Sequence, residues 1–421
     1  MILGFFLTVI YITIIFLRPQ EFIPAMRGWP ILDFLAVFCT AAVFLEGGFE
    51  AAKFKRSTLN WLIVWFWLSL AVSHIANLWF GGAITAITEF AKVALVYFLV
   101  ILTVDSFRRI RILLWVMLIM TVFLSFQAIV QFYSGVGLVG GEALQRGEVL
   151  QAQGIGIFGD PNDLALNMVT MIPFMLPAIH KPLLSRTSLT GVILLIPVVT
   201  GVILTRSRGG ILGLSMVLWF YFYRRVGLLV SMGGLLLIFS ILLTVPRMGE
   251  ISAQESSARS RMEHWSAGLT MLASHPLFGV GMNRFTEYHS HTAHSSIILA
   301  LAETGLFGTF FWVALFFTAL REIYLTRRVP RAPPFLDPLL TGLVGSFIGW
   351  QCCAFFLSHT YKFLSFVLIG LVVSVLNALQ KEGITVRHSW GMRQFSWSLF
   401  WTGVSILFMH FALRILWTLD Y

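Results

Sequence analysis

Apolar segments of about 20 residues recur along almost the whole chain of 421 residues, and a helix of that length crosses the ~30 Å hydrocarbon core of a lipid bilayer. Hydrophobic residues make up 58% of the sequence and charged residues only 11%, which excludes a water-soluble globular protein. The sequence predicts an all-α polytopic integral membrane protein with about 12–13 transmembrane helices. The predicted spans are approximately residues 2–17, 31–45, 59–80, 84–104, 112–133, 163–179, 189–205, 209–223, 226–245, 295–320, 338–357, 361–379 and 396–418.

These spans divide the chain into five consecutive regions, two of which are long loops. The second loop contains a predicted amphipathic helix over about residues 258–273, which Ser256 or Ser257 would cap. Trp265 on that helix would lie at the depth of the lipid headgroups. The five regions are N-terminal helices over 1–133, a first loop over 134–162, central helices over 163–245, a second loop over 246–294 and C-terminal helices over 295–421.

The basic residues predict how the chain is oriented in the membrane. Most of the 29 lysines and arginines fall in alternate loops, and such loops are preferentially cytoplasmic. The N-terminus is therefore predicted to be cytoplasmic, with both long loops outside. Positive loops also account for the net charge of +10, so a nucleic-acid partner is not needed. The exceptions, which lie on the outer side and suggest an anionic ligand there, are Arg206, Arg208, Arg259, Arg261 and Arg284.

The turn at residues 205–210 is the first candidate site, since it places Arg206 and Arg208 between two apolar runs. One interpretation is that both arginines extend to the membrane surface and pair with lipid phosphates. The other is a guanidinium clamp for a phosphate or a pyrophosphate, because the planar guanidinium can bind two of these oxygens at once. The tight turn and its position on the outer side favour the clamp.

A cluster of polar residues precedes the sixth predicted span. Asp160, Asn162 and Asp163 surround Pro161, and this pattern predicts a helix start that Asn162 or Asp163 caps. A cap uses only one or two of these groups, so Asp160 and Asn162 are also candidates for contacts with a sugar or a phosphate.

Three histidines close the second loop. The spacing of His289, His291 and His294 would suit zinc, but no acidic ligand stands at a zinc-protease spacing. We therefore expect no metal site and a structural or surface role for His289 and His291. His294 opens the next span, where a neutral imidazole can accept a proton from an incoming hydroxyl group.

Glu303 lies nine residues beyond His294 in the same predicted helix, roughly 13 Å below the interface. A carboxylate at that depth is expected to face the helix bundle and to have a partner. A structural partnership with an arginine or a backbone group is favoured over a direct catalytic role.

Taken together, these residues resemble the superfamily of O-antigen ligases and polysaccharide polymerases of bacterial envelopes. The similar positions are the SRGG turn with Arg208, the GDPN loop at 159–162, Arg261 and Trp265, then His275, Pro276, Leu277, Gly279, Gly281 and Phe285, and finally His294, Glu303, Gly305 and Gly308. The resemblance covers about residues 155–310. Ser295 departs from the family pattern, in which asparagine often follows the histidine.

The resemblance implies a metal-independent, multi-spanning (GT-C-like) glycosyltransferase of the bacterial inner membrane, without a cofactor and with its active site facing the periplasm. The donor would be an undecaprenyl-diphosphate-linked glycan and the acceptor lipid A–core oligosaccharide. His294, Arg208 and Arg261 would be catalytic. The residues implied in substrate binding are Arg206, Arg259, Arg284, Asp160, Asn162 and Glu303.

Two other functions stay open. A polymerase or a protein O-oligosaccharyltransferase would use the same donor with another acceptor. A transporter for lipid-linked saccharides would need charges and broken helices near the middle of the membrane, whereas the charges of this sequence gather on one side.

Overall fold

The computed structural model describes residues 1–49, 54, 56–146, 149–179, 185–243, 251–330, 333–386 and 391–419. Within these ranges the chain is mostly helical. The helices are α1 (Leu3–Leu17), α2 (Pro19–Phe22), α3 (Ile31–Leu45), α4 (Leu59–Ala76), α5 (Phe80–Thr103), α6 (Phe107–Ser134), α7 (Pro161–Met175), α8 (Arg186–Leu204), α9 (Arg208–Val226), α10 (Leu228–Leu243), α11 (Ile251–Ser274), α12 (Phe285–Tyr288), α13 (Ser296–Thr326), α14 (Leu336–Ala354), α15 (Phe363–Lys381) and α16 (Met392–Leu419).

A helix coincides with each predicted span, which confirms a polytopic helical protein. Among the described residues, α4, α5, α6, α8, α13, α15 and α16 are each long and apolar enough to cross a membrane. The number of crossings stays a prediction, because α1 and α3 have only 15 residues each. The fold is not purely α-helical, since the first long loop contains an antiparallel hairpin of β1 (Leu144–Arg146) and β2 (Val149–Gln151).

The described chain forms two compact units that each combine separate segments of the sequence. Unit 1 consists of Met1–Gly48, Ser106–Ile251 and Pro330–Cys353. Unit 2 consists of Phe49–Asp105, Ser252–Val329 and Ala354–Tyr421.

In unit 1, α6, α7, α8 and α9 pack against one another. Small and polar residues allow these helices to approach closely, as is usual where lipid removes the hydrophobic drive for association. A Cβ atom added at Gly213 of α9 would lie 2.5 Å from the Cys353 sulfur of α14. Ser346 of α14 donates a hydrogen bond of 2.7 Å to the Thr170 carbonyl of α7.

In unit 2, α13 packs against α4 and α16, and α15 packs against α5. Helix α13 is broken at Gly305, which has φ 61° and ψ −162°. The loop over residues 276–281 runs beside the break and satisfies the backbone groups that the break releases, as a bilayer interior requires. The four hydrogen bonds run from Val280 N to Ala302 O (2.9 Å), Gly281 N to Glu303 O (2.9 Å), Leu306 N to Pro276 O (2.9 Å) and Phe307 N to Leu277 O (3.0 Å).

This pairing explains two glycines of the sequence motif. A Cβ atom at Gly279 would lie 2.4 Å from the Glu303 carbonyl carbon, and one at Gly305 would lie 2.5 Å from the Gly279 nitrogen. Both glycines also have positive φ angles. The loop and the broken helix can therefore approach this closely only because neither glycine has a side chain.

We expect Gly305→Ala to destabilise unit 2. The backbone conformation alone costs on the order of 1–3 kcal/mol for a residue with a Cβ atom, and the contact with Gly279 adds to this cost. The midpoint of thermal unfolding in detergent should fall. Gly403→Ala is the matched control, because nothing lies within 4 Å of the position of its added Cβ atom. Equal midpoints for the two variants would contradict the pairing.

The predicted start of the amphipathic helix is wrong. Helix α11 begins at Ile251, so Ser256 and Ser257 lie within it and are not its caps. Trp265 is 3% exposed and packs edge-on against Phe355 at 5.3 Å between ring centroids. It is therefore buried in unit 2, because the apolar side of α11 packs against protein. Its depth relative to the lipid headgroups stays a prediction.

Candidate functional site

Four histidine rings come together in unit 2. His264 on α11 forms a hydrogen bond of 2.7 Å between its Nδ1 and His289 Nε2, and one of 2.9 Å between its Nε2 and Ser260 Oγ. The centroid of its ring lies 5.5 Å from those of His291 and His294. These four residues are called the histidine cluster below.

His264 is a member of this cluster that the sequence interpretation missed. It lies three residues after Arg261, which is about one helical turn, so both can face one region. The spacing of Arg261 and His264 could therefore have indicated from the sequence that His264 belongs to the site. The contact with His289, 25 residues further along the chain, is not visible from helical periodicity.

Burial is the largest cause that lowers the pKa of His264 to about 4, and positive charge on His289, His294, His291 and Arg261 contributes to the same shift. His264 is therefore neutral near pH 7. A neutral imidazole with both ring nitrogens hydrogen-bonded can hold its neighbours in place, but it is a weak base.

The lowered pKa predicts a loss of stability in acid. The unfolded chain has a histidine pKa of about 6.5, so between that pH and about 4 the unfolded state binds more protons than the folded state. The stabilising contribution is complete above about pH 6.5 and is lost as the pH falls towards 4. We expect the midpoint of thermal unfolding to fall less between pH 7 and pH 5 in His264→Gln than in the wild type. His410→Gln removes an exposed histidine of α16 and should behave as the wild type; equal acid sensitivity of all three proteins would contradict this assignment.

His294 has a left-handed backbone conformation, with φ 46°. Such a conformation is uncommon for residues other than glycine and, where it persists, is held by its surroundings. Its two sequence neighbours, Ala293 and Ser295, are completely buried, whereas His294 itself is half-buried. The chain thus fixes the backbone of His294 and leaves its ring partly accessible.

The loop that joins α14 to α15 holds both sides of His294. On one side, Thr292 Oγ1 and Ser358 Oγ lie 3.0 Å apart. On the other side, Ser296 donates to the Leu357 carbonyl (2.6 Å) and accepts from the His359 nitrogen (2.9 Å). These contacts position the histidine more firmly than its place in a loop would suggest.

The arginines of unit 2 differ in their surroundings. Arg261 is half-buried, with its guanidinium 5.3 Å from the centroid of the Phe356 ring, and Arg259 is exposed. Arg284 forms an ion pair of 2.8 Å with Glu287 and lies 5.0 Å from the Trp79 ring centroid. Arg259 and Arg261 flank Ser260, whose hydroxyl group is hydrogen-bonded to His264. Arg284 is paired with Glu287.

Glu303 is 1% exposed and accepts a hydrogen bond of 3.0 Å at Oε1 from the backbone nitrogen of Phe285. The residue that donates is the first of α12, which leads directly to His289. The carboxylate therefore joins α13 to the segment that carries the histidines, a contact of the structural kind.

Polar residues of unit 1 connect the N-terminus of α7 to that of α9 through hydrogen bonds. Asp160 caps α7 by accepting from the Asn162 nitrogen at 2.8 Å. The predicted cap at Asn162 or Asp163 is therefore wrong, because Pro161 already begins the helix. Asn162 Oδ1 accepts a hydrogen bond of 2.7 Å from Ser207 Oγ, and Ser207 in turn caps α9 by accepting from the Gly210 nitrogen at 3.2 Å.

The same turn positions Arg206 and Arg208 of unit 1. Arg206 has φ 49°, and its guanidinium lies 5.5 Å from the centroid of the Phe132 ring. Arg208 is the first residue of α9 and is half-buried. The start of a helix carries partial positive charge and favours anions. The turn thus combines two guanidinium groups with a helix N-terminus.

In the part of the chain that the structure describes, no three His, Cys, Asp or Glu side chains are arranged to hold a metal ion. The histidine cluster instead contains a hydrogen bond between two of its rings.

Residues 192–313 match the family model described as O-antigen ligase. The matched segment includes the arginine turn of unit 1, helix α11 and the histidine cluster. Members of this family are enzymes, ligases or polymerases, that act on glycans. A comparison with curated proteins found no match.

Proposed function

We propose that this chain, whose residues 192–313 match the O-antigen ligase family model, transfers a glycan from undecaprenyl diphosphate to lipid A–core oligosaccharide. The observation that carries the proposal is the environment of His294. Its left-handed backbone is held on both sides, and the centroid of its ring lies 5.5 Å from that of the buried His264. Arg261 lies one helical turn before His264 on α11. The distribution of basic residues supports a reaction at the periplasmic face of the inner membrane.

His294 acts as the general base in this proposal. A ring nitrogen accepts the proton of the acceptor hydroxyl group as that oxygen forms a bond to the anomeric carbon of the donor glycan. The bond between this carbon and the diphosphate oxygen breaks, and its electron pair leaves with the undecaprenyl diphosphate. Direct attack of this kind inverts the configuration of the anomeric carbon.

Guanidinium groups bind the departing diphosphate. Arg259 and Arg261 supply them in unit 2, which also carries His294, and the sequence prediction assigns the same role to Arg206 and Arg208. Because several fixed positive charges can neutralise the leaving group, the reaction needs no metal ion. This property also supports assignment to the metal-independent, GT-C-like class.

The remaining predicted residues have a positioning role in this proposal. Asp160 and Asn162 hold the start of α7 against Ser207, Glu303 holds Phe285, and Arg284 is paired with Glu287. Ser207 lies between Arg206 and Arg208, and Phe285 begins the segment that leads to His289, so these contacts hold the backbone next to the proposed site residues.

The identity of the acceptor can be tested by deleting the gene and examining the glycans attached to lipid A–core in the deletion strain. Loss of every O-antigen cap on lipid A–core, with the polymerised donor still present, is the result expected for a ligase. Caps reduced to a single repeat would instead assign the polymerase function, and unchanged caps would point to another acceptor, such as protein.

A further inference from the structure

Unit 1 contains an apolar cavity of about 410 Å³ among α6, α7, α8 and α14. Its walls include Leu114, Trp115, Leu118, Phe174, Met175 and Leu194. Arg111, Thr187 and Thr190 are among its few polar lining residues. The cavity thus offers a long apolar surface with one fixed charge beside it.

The cavity lies at one end of its helices. Arg111 is in the first turns of α6, Met175 ends α7, Thr187 is in the first turn of α8, and Pro338 is in the first turn of α14. Asp160 and Arg206, in contrast, belong to the opposite ends of α7 and α8. A helix of 15 residues such as α7 is roughly 22 Å long, so this cavity is separate from the arginine turn.

The chain segments at the cavity end are those that the basic residues place in the cytoplasm. Arg108, Arg109 and Arg111 start α6, and Lys181 and Arg186 precede or begin α8. Lipids of the cytoplasmic leaflet are in part anionic, and basic pockets between helices on that side bind their headgroups.

Arg111 provides the charge complementarity. Its side chain is exposed, and its guanidinium lies 6.0 Å from the centroid of the Phe335 ring. Among the residues that the structure describes, no carboxylate lies within ion-pair distance of it. An arginine at the rim of an apolar cavity is suited to a ligand with an apolar chain and an anionic head.

We propose that this cavity binds an acyl chain of an anionic phospholipid from the cytoplasmic leaflet, with the lipid phosphate at Arg111. The apolar walls take the chain, because an acyl chain makes van der Waals contacts with the apolar side chains that line the cavity. Thr187 and Thr190, which line the cavity and are exposed, offer hydroxyl groups to the polar ester groups of such a lipid. The inference is independent of the reaction proposed above.

Native mass spectrometry of the purified full-length protein tests the site, with phosphatidylglycerol and phosphatidylcholine as the lipid probes. The wild type should retain one phosphatidylglycerol more tightly than phosphatidylcholine. Arg111→Gln should weaken phosphatidylglycerol binding about fivefold, the effect of one basic residue at an anionic surface. Thr190→Trp should abolish retention of phosphatidylglycerol by filling the cavity.

Two matched variants serve as controls. Arg108→Gln removes an exposed arginine of the same turn, and Leu189→Trp adds the same bulk at an exposed position next to the cavity; neither residue lines the cavity, and both variants should bind as the wild type. Equal binding of the two lipids by the wild type, or loss of binding in Arg108→Gln as large as in Arg111→Gln, would overturn the proposal.

Discussion

His294→Ala is expected to transfer glycan about 10²–10⁴ times more slowly than the wild type, which is the usual contribution of a general base. The donor should still bind, because binding of the diphosphate depends on the arginines. The measurement is the initial rate of transfer at saturating donor, together with the donor affinity of both proteins.

His291→Ala is the control within the same cluster. The His291 ring lies at the same 5.5 Å from His264 as the His294 ring, but His291 is exposed and its backbone is not left-handed. We expect nearly unchanged rates. If the two variants lose the same activity, the cluster acts as a whole and His294 is not the base.

Arg208→Lys is expected to reduce turnover by about 10²–10³, the effect of removing one donor that stabilises developing negative charge. Lysine preserves the charge but not the planar pair of donors that binds two phosphate oxygens. Initial rates should therefore fall although the amount of protein in the membrane is unchanged.

Arg328→Lys is the control for this exchange. Arg328 stacks at 4.2 Å on the Tyr324 ring beyond the end of α13, on the predicted cytoplasmic side, and its replacement should leave transfer unchanged. Activity of Arg208→Lys equal to that of Arg328→Lys would remove Arg208 from the diphosphate site.

The helices were predictable because each depends on a local property, the length of an apolar run. Gly279 and Gly305 were also recognisable in the sequence motif, but the sequence did not show why glycine is required at these two positions. Both glycines are needed where a loop lies against a broken helix, and this pairing joins residues that are distant in the chain.

The site was only partly predictable for the same reason. His289, His291 and His294 lie within six residues of the sequence, so the sequence identifies them together. His264 lies on another helix and was missed. The cap at Asp160 was misplaced because three polar residues compete at that helix start, and only the hydrogen bonds show which one accepts.

The most direct test is transfer by the purified protein in detergent, supplied with a defined undecaprenyl-diphosphate glycan and lipid A–core, in the presence of EDTA. In detergent no glycan can be carried across a membrane, so product reports transfer alone. We predict full activity of the wild type and almost none of His294→Ala. Absence of transfer by the wild type, or inhibition by EDTA that zinc or magnesium reverses, would contradict a metal-independent transferase with His294 as its base.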